Sequence, residues 1–359
     1  MKGATMDRFM GLMWLESTAP DTEEVTSSNL VTPTNFSQVA PDVPDVACFC
    51  MSHVDDLRRY GHLEPSTHRA YRYLMAHVRR FFGDVAVGDL KPSDLAAFVR
   101  NLDERGLSQG TQRKTYNMLV MCLRHAHAIG MLSWEPTKAV RAPRNACPPP
   151  NPLTAESLAV LRERLAVLEP TPCVIAANMA LLTGMRRGEV CGLQWRDVDL
   201  GEMPTAHVCR SIGIGDGGTY VKATKTGAER DVPLVPSLAR MLSARRREMM
   251  AGCSDLGLEM RPTHYVIGKP SGEYLSPYRV TRWWGEHARE WGLVGTRGRV
   301  PTFHDLRHTF ATIAVRSVDV KTAQSIMGHA SAEMTMRYAD TELGQVRGAI
   351  GAISQGFGA

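Results

Sequence analysis

The sequence lacks the segments that would place it across a membrane. Its 359 residues include no apolar run of about 18 residues, the length at which a membrane-spanning helix is predicted. Residues 1–20 contain a short apolar patch, but Asp7, Arg8 and Glu16 interrupt it and no small-residue cleavage site follows. A signal peptide is therefore not predicted. We also find no internal repeat, and we expect a cytoplasmic globular protein.

Cysteine is present but unpatterned, with no C-x-x-C pair. The 8 cysteines lie at positions 48, 50, 122, 147, 173, 191, 209 and 253. Disulfide frameworks and zinc sites depend on regular cysteine spacing, so neither is expected and the thiols are predicted to be reduced. No metal and no other cofactor is predicted.

A strong excess of positive charge is also missing, since the net charge is only +5. The charge is unevenly distributed, however. Residues 1–45 hold two basic and seven acidic side chains, a net of −5, which leaves +10 for residues 46–359. A basic folded part is expected of a protein that binds the phosphate backbone of DNA, although many basic domains bind no nucleic acid.

The chain is too long for one ordinary core and is predicted to form two domains and a tail. Residues 1–45 are rich in Ser, Thr, Pro and acidic residues, so they are predicted to be mostly disordered. Residues 46–145 have helical periodicity, and residues 146–153 form a proline-rich linker. Residues 154–340 mix helices with short strands, predicted near 206–212, on both sides of Lys225 and at 264–268. An apolar stripe at helical spacing predicts a tail helix over residues 341–359.

The N-terminal helices place basic residues beside apolar stripes. Arg69 and Arg72 lie in a run of residues 65–82 with helical periodicity, and Arg113 and Lys114 lie near the start of a later helix. A basic stripe of this kind suits a helix that lies on DNA. An ordinary solvated face is an equally open interpretation for each of these residues.

The strongest functional signal is the stretch from His304 to Tyr338. Residues 302–315 have the apolar spacing of a helix, which would place His304 and Arg307 on one face. A second helix is predicted to end at Gly328, with His329 on the following turn and Tyr338 nine residues later. An imidazole, a guanidinium and a phenol would thus be brought into one region.

Two segments before this stretch supply further cations. Thr183 and Gly184 break an apolar helix, so Arg186 or Arg187 would lie at the start of the next helix, where N–H groups favour anions. Lys225 is predicted on the turn of a hairpin. Glu189, three residues after Arg186, either orients Arg186 or His304 or is a surface charge.

Together, TGMRRGEVCGLQW with Arg186, Lys225-Thr226, HDLRH with His304 and Arg307, and GHASAEMTMRYAD with His329 and Tyr338 resemble the tyrosine recombinases of the phage integrase family. The resemblance spans roughly residues 154–340. Each motif alone is weak, but their order and spacing are highly specific.

The resemblance implies a mainly α fold with a mixed α+β catalytic domain after an N-terminal helical core-binding domain. It also implies a site-specific recombinase that cleaves and rejoins double-stranded DNA without metal or ATP. Tyr338 would be the nucleophile of a 3′-phosphotyrosyl intermediate and Lys225 the general acid. Arg186, the arginine of the family's T-G-x-R, and Arg307 would bind the two non-bridging phosphate oxygens. His304 would assist the tyrosine proton, and His329 would donate to a phosphate oxygen. Exchange of strands between two DNA sites implies self-association, with a tetramer expected.

Other functions remain open on the sequence alone. His304 and His308 have the spacing of two metal ligands, which a zinc hydrolase would use, but no third ligand is suitably spaced. A non-catalytic DNA-binding regulator fits the helices and the basic charge but leaves Tyr338 unexplained. A type IB topoisomerase shares the chemistry, yet the spacing from Gly328-His329 to Tyr338 favours a recombinase.

Overall fold

The computed structural model of the protein describes residues 43–144, 149–224, 229–317 and 320–328. The predictions for residues 1–42 and for the tail helix at 341–359 lie outside these ranges. None of the helices in the described ranges is long and apolar enough to cross a membrane.

The described N-terminal part is helical apart from an isolated bridge between Asp45 and Ala86. Its helices are α1 (Val46–Arg59), α2 (Pro65–Phe82), α3 (Pro92–Glu104), α4 (Gln109–Ala128) and α5 (Pro136–Ala139). Local sequence explains where they begin: the Asp45 carboxylate accepts the backbone N–H of Cys48 at 2.8 Å, and prolines open α2 and α3. One face of each of the four longer helices packs into a common core around Phe98 and Leu119.

The C-terminal part is organised around one apolar helix. Its helices are α6 (Ala155–Val167), α7 (Pro172–Thr183), α8 (Arg187–Gly192), α9 (Pro236–Asp255), α10 (Pro277–Glu290), α11 (Phe303–Ser317) and α12 (Val320–Met327). Helix α7 contains no charged residue and packs against α8, α9, α10 and α11. A helix that is apolar on all sides is stable only at the centre of a core. The core therefore holds the C-terminal end of α7 in place, and the residues that follow it start from a fixed position.

Five short strands lie in this part of the chain. They are β1 (Val198–Asp199), β2 (Thr205–Val208), β3 (Arg210–Gly215), β4 (Gly218–Ala223) and β5 (Arg230–Pro233). Strands β1, β2 and β5 form an antiparallel sheet in that order, while β3 and β4 form a separate hairpin. The predicted fold class, mainly α with a mixed α+β C-terminal part, is confirmed.

Three details of the predicted strands are wrong. The strand expected near 206–212 is divided at Cys209 into β2, which pairs with β5, and β3, which pairs with β4 and packs so closely on α8 that a Cβ on Gly188 would be 2.4 Å from Ser211 Oγ. The segments on either side of Lys225 do not form a hairpin, since β4 pairs with β3 and β5 pairs with β2. Residues 264–268 form only an isolated bridge at Tyr265.

The last of these errors has a clear physical cause. The buried guanidinium of Arg245 on α9 donates to the carbonyl oxygens of Val266 at 3.2 Å and Gly268 at 2.7 Å. Because a side chain from a distant helix satisfies these carbonyls, the segment needs no strand partner for them.

Candidate active site

A tight turn at Gly184 places Arg186 at the end of the central helix. Helix α7 ends at Thr183, and Gly184 adopts the left-handed conformation with φ of 66°. A Cβ at Gly184 would lie only 2.4 Å from a ring carbon of Phe310 on α11, so the turn also requires the absence of a side chain. The predicted helix break is confirmed, and Arg186 immediately precedes α8.

Arg307 lies on α11 and connects this turn to the end of α12. It is only 2 % exposed. One guanidinium nitrogen donates to the Gly184 carbonyl, and Nη2 donates to the Met327 carbonyl at 2.7 Å. A buried guanidinium with two fixed carbonyl partners has little rotational freedom, so Arg307 is held in one orientation.

Arg186 also contacts the end of α12, at the residue after Met327. Its Nη2 donates to the Gly328 carbonyl at 3.2 Å, and its Nη1 donates to Glu189 at 2.8 Å. The side chain remains 23 % exposed, so part of the guanidinium faces solvent. The two arginines predicted to bind phosphate therefore converge on the consecutive residues Met327 and Gly328.

Glu189 is an internal residue, so the interpretation of it as a surface charge is wrong. Its side chain is 1 % exposed. It accepts hydrogen bonds from Arg186 and also from Arg230, whose Nη2 lies 2.8 Å from Oε2. Burial raises the pKa of Glu189, but the hydrogen bond and charge of Arg230, followed by the charge of Arg186, outweigh it and lower that pKa below its usual value. The carboxylate is ionised at neutral pH.

Arg230 is a residue of this site that the sequence reasoning missed. It begins β5, its side chain is 9 % exposed, and it shares the Glu189 carboxylate with Arg186. The only signal available was an arginine five residues after Lys225 in a strand-like segment, which does not distinguish a buried ion pair from an exposed charge.

The two histidines of α11 lie beside the arginines. His304 and His308 meet edge to face with ring centroids 4.6 Å apart. Although His304 retains an exposed face, desolvation by its packed surroundings, then the nearby His308, Arg307 and Arg186, lower its pKa to about 4. At neutral pH His304 is therefore an uncharged imidazole with a nitrogen that can accept a proton.

Three predicted catalytic residues, Lys225, His329 and Tyr338, lie outside the described ranges. The residues that precede Lys225 and His329 are placed. Strand β4 ends at Ala223, two residues before Lys225, and α12 ends one residue before Gly328, which precedes His329. The roles of these three residues stay predictions.

The residues predicted to bind DNA have varied surroundings. Arg69 donates to the Tyr278 hydroxyl on α10, and Arg72 lies 3.6 Å from Asp216 in the β3–β4 turn. Arg113 donates to the Pro143 carbonyl at 2.7 Å, whereas Lys114 is exposed. Arg69 and Arg72 thus lie where α2 meets the C-terminal part of the chain.

This meeting place has further polar contacts that the sequence did not indicate. His68 on α2 lies between Asp55 at 2.6 Å and Asp216 at 2.8 Å. The carboxylate of Glu64 contacts the Tyr220 hydroxyl at 3.0 Å and the Lys222 ammonium at 3.2 Å. The start of α2 is therefore joined to the β3–β4 hairpin.

The zinc-hydrolase interpretation finds no third ligand in the part of the chain that the structure describes. Within those ranges, no group of three or more His, Cys, Asp or Glu side chains is arranged to hold a metal ion. The charged neighbours of His304 are Arg307, Arg186 and Asp305, so positive charge exceeds negative charge there and disfavours a cation. The same positive charge suits an anion such as a phosphate.

The family follows from comparison with known proteins. Residues 159–343 match the phage integrase family, and residues 46–142 match the phage integrase SAM-like domain. The first match spans more than half of the chain, so the protein belongs to the phage integrase family. The predicted family is confirmed, and no match favours a non-catalytic regulator.

Individual relatives agree with this assignment. The integrase of Escherichia phage HK022 is 25% identical over 281 residues, which cover 78% of this chain and 71% of the phage protein. The tyrosine recombinase XerC of Rhodospirillum centenum is 29% identical over 322 residues, which cover 84% of this chain and 87% of XerC.

Solved structures show the same fold. The Tn1549 transposon integrase in complex with a circular intermediate DNA has a TM-score of 0.67 and 19% identity, covering 86% of this chain and 99% of that one. A lambda integrase tetramer bound to a Holliday junction has a TM-score of 0.63 and 21% identity, covering 84% and 78% of the two chains.

Proposed function

We propose that the protein is a site-specific DNA recombinase that cleaves and rejoins DNA through a 3′-phosphotyrosyl intermediate, integrating or excising a mobile element. The observation that supports this function best is the convergence of Arg186 and Arg307 on Met327 and Gly328, at the end of α12. Both arginines are held by backbone carbonyls of the protein itself. Donors fixed in advance stabilise a transition state without reorganisation, which is the largest contribution in many enzymes.

The phosphate of the cleaved strand would bind between these arginines. As negative charge accumulates on the two non-bridging oxygens, the guanidiniums stabilise it. No metal ion is needed, because the two guanidiniums neutralise the charge that a cation would. No ATP is needed, because the covalent intermediate conserves the energy of the broken phosphodiester bond.

Tyr338 attacks phosphorus, a bond forms between its phenolic oxygen and phosphorus, and the bond from phosphorus to the 5′-oxygen breaks. The Tyr338 proton goes to His304, which is uncharged at neutral pH. The leaving 5′-oxygen takes a proton from Lys225, and His329 donates a hydrogen bond to a phosphate oxygen. A 5′-hydroxyl from the second DNA then reverses the step and joins new strands.

The partners follow from this reaction. Double-stranded DNA with specific recombination sites is the substrate, in the cytoplasm, and exchange of four strands requires a tetramer on two sites. The lambda integrase tetramer on a Holliday junction supports this assembly by analogy. We also propose the predicted division into a helical core-binding domain at 46–145, a linker at 146–153 and a catalytic domain at 154–340. In this division Arg69, Arg72, Arg113 and Lys114 face DNA.

Covalent trapping tests the proposed function. The purified protein is incubated with a nicked duplex that carries the junction between the mobile element and its flanking DNA, so that the cleaved strand diffuses away. A denaturant-resistant protein–DNA adduct is expected, with phosphate joined to the protein at the 3′ end. Absence of an adduct on junction DNA that the protein binds would contradict the proposal.

Cleavage is also expected to proceed unchanged in excess EDTA, since two guanidiniums take the place that a cation would occupy. The measurement is the rate of adduct formation with and without the chelator, in protein dialysed beforehand. Loss of the adduct in EDTA with recovery on adding zinc would favour the hydrolase interpretation instead.

A Lys225→Ala variant is expected to bind DNA normally but to cleave it more slowly, by roughly 10²–10⁴-fold, the usual contribution of a general acid. A substrate with sulfur at the 5′-bridging position should recover most of the rate, because a thiolate leaves without a proton. The same variant on the oxygen substrate is the control. If sulfur gives no recovery, Lys225 is a phosphate ligand and not the acid.

A further inference from the structure

Arg230 occupies a buried position from which it contacts two elements of the site at once. Its guanidinium forms a two-pronged contact with Glu189, with Nη2 2.8 Å from Oε2 and Nη1 3.4 Å from Oε1. The side chain is 9 % exposed, and the carboxylate it contacts is 1 % exposed. Removing one partner of a pair so shielded from solvent leaves an uncompensated charge, which is strongly destabilising.

The same carboxylate fixes Arg186 by two separate bonds. Oε1 accepts from Nη1 of Arg186 at 2.8 Å, and Oε2 accepts from the backbone N–H of Arg186 at 2.9 Å. Each carboxylate oxygen therefore lies between Arg186 and Arg230. If Arg230 were absent, Glu189 could rotate, and the guanidinium and the backbone of Arg186 would both lose their fixed partner.

Arg230 also lies directly against Gly328. A Cβ at Gly328 would be 3.0 Å from Nη1 and 3.1 Å from Cδ of Arg230, and Gly328 has a positive φ of 60°. The carbonyl oxygen of the same glycine accepts from Nη2 of Arg186. Arg230 thus packs against the same glycine whose carbonyl oxygen Arg186 contacts.

We propose that Arg230 is a positioning residue for DNA cleavage, which holds Arg186 in the orientation that meets the scissile phosphate by fixing both Glu189 and Gly328. The proposal rests on the proposed function. It assigns Arg230 no contact with DNA or with the reacting atoms.

A guanidinium is required at this position for a geometric reason. Its planar fork reaches both oxygens of one carboxylate, whereas a lysine ammonium keeps the charge but binds as a single point. Arg230→Lys therefore preserves the charge of the pair and removes only its two-point geometry. Cleavage by this variant is expected to fall on the order of 10²-fold, the loss caused by a misplacement of about 1 Å.

The matched control is Arg245→Lys on α9. Arg245 is also a buried arginine of the C-terminal part, but its partners are the carbonyls of Val266 and Gly268 and, at 2.9 Å, the exposed carboxylate of Glu248. Both variants should bind a single recombination site as the unchanged protein does, and thermal melting should show whether they lose similar stability. Only Arg230→Lys should lose cleavage. If Arg230→Lys does not fold, Arg230→Gln is measured instead, with the same expected loss of cleavage.

A second substrate separates positioning from general structural damage. A methylphosphonate at the scissile position lacks one charged oxygen, so its cleavage depends less on the placement of Arg186. The defect of Arg230→Lys relative to the unchanged protein should shrink roughly tenfold or more on this substrate. In addition, the variant that combines Arg230→Lys with Glu189→Gln should cleave no more slowly than the slower of the two single variants, since both changes act through the same contact.

Three results would overturn the proposal: cleavage by Arg230→Lys as fast as by Arg245→Lys, an equal defect on phosphate and methylphosphonate, or additive effects in the double variant. The unchanged protein is measured in the same experiment. If it forms no adduct, the proposed function fails, whereas an adduct together with any of these three results removes only the role of Arg230.

Discussion

A Tyr338→Phe variant is expected to form no covalent adduct with DNA while binding the recombination site as tightly as the unchanged protein. Phenylalanine keeps the ring and removes only the oxygen that would bond to phosphorus, so folding and DNA contacts should be preserved. Adduct formation is measured on the nicked duplex by denaturing gel, and binding is measured by gel shift. The expected loss is complete, because no other step can replace the missing bond.

Tyr278→Phe is the matched control for this experiment. Tyr278 is half exposed on α10, and its hydroxyl accepts from Arg69 of α2, so it is a tyrosine near the N-terminal helices with a polar contact of its own. Its variant should form the adduct at the normal rate. An adduct that persists in Tyr338→Phe but disappears in Tyr278→Phe would show that the nucleophile had been assigned to the wrong tyrosine.

The sequence predicted those parts of the site that depend on local structure. The break at Thr183 and Gly184 follows from glycine's freedom to adopt positive φ, and it fixes Arg186 before α8 whatever surrounds it. The three-residue spacing of His304 and Arg307 gives one face of α11 for the same local reason. Family motifs record these short-range relations, so they locate the residues well.

Contacts between distant segments could not be predicted in this way. Glu189 is indistinguishable from a surface acid until β5 brings Arg230 within 2.8 Å of it, 41 residues further along the chain. The division of residues 206–212 between two sheets likewise depends on α8 packing against β3. Pairing over such distances is decided by the whole fold. The local sequence pattern around each residue therefore contains little information about its partner.

Arg69 and Arg72 illustrate an intermediate case. Helical spacing correctly placed them on α2, but a basic stripe does not reveal which surface it faces. In the structure they contact Tyr278 and Asp216, beside the pairing of His68 with Asp216. For both arginines to face DNA, as we propose, these contacts must leave room for a phosphate or exchange with it.

An Arg307→Ala variant is expected to show the second largest effect, because Arg307 has both a chemical and a structural task. Loss of one preorganised donor to a transition-state oxygen typically costs roughly 10²–10³-fold in rate. Arg307 also joins the Gly184 and Met327 carbonyls, and each carbonyl left without its partner in the interior costs about 1–3 kcal/mol of stability. Single-turnover cleavage at saturating protein measures the first effect, and thermal melting measures the second.

Arg245→Ala separates these two effects. It removes a comparably buried guanidinium from two backbone carbonyls in the same part of the chain, so its loss of stability should be similar. Its cleavage rate at a temperature well below melting should stay close to normal, whereas Arg307→Ala should remain slow at that temperature. Equal rates for the two variants would mean that Arg307 only joins α7 to α12. A selective loss in Arg307→Ala would instead support a direct action of the guanidinium on the phosphate, since both variants leave two carbonyls without their arginine partner and Arg245 differs by its ion pair with the exposed Glu248 at 2.9 Å.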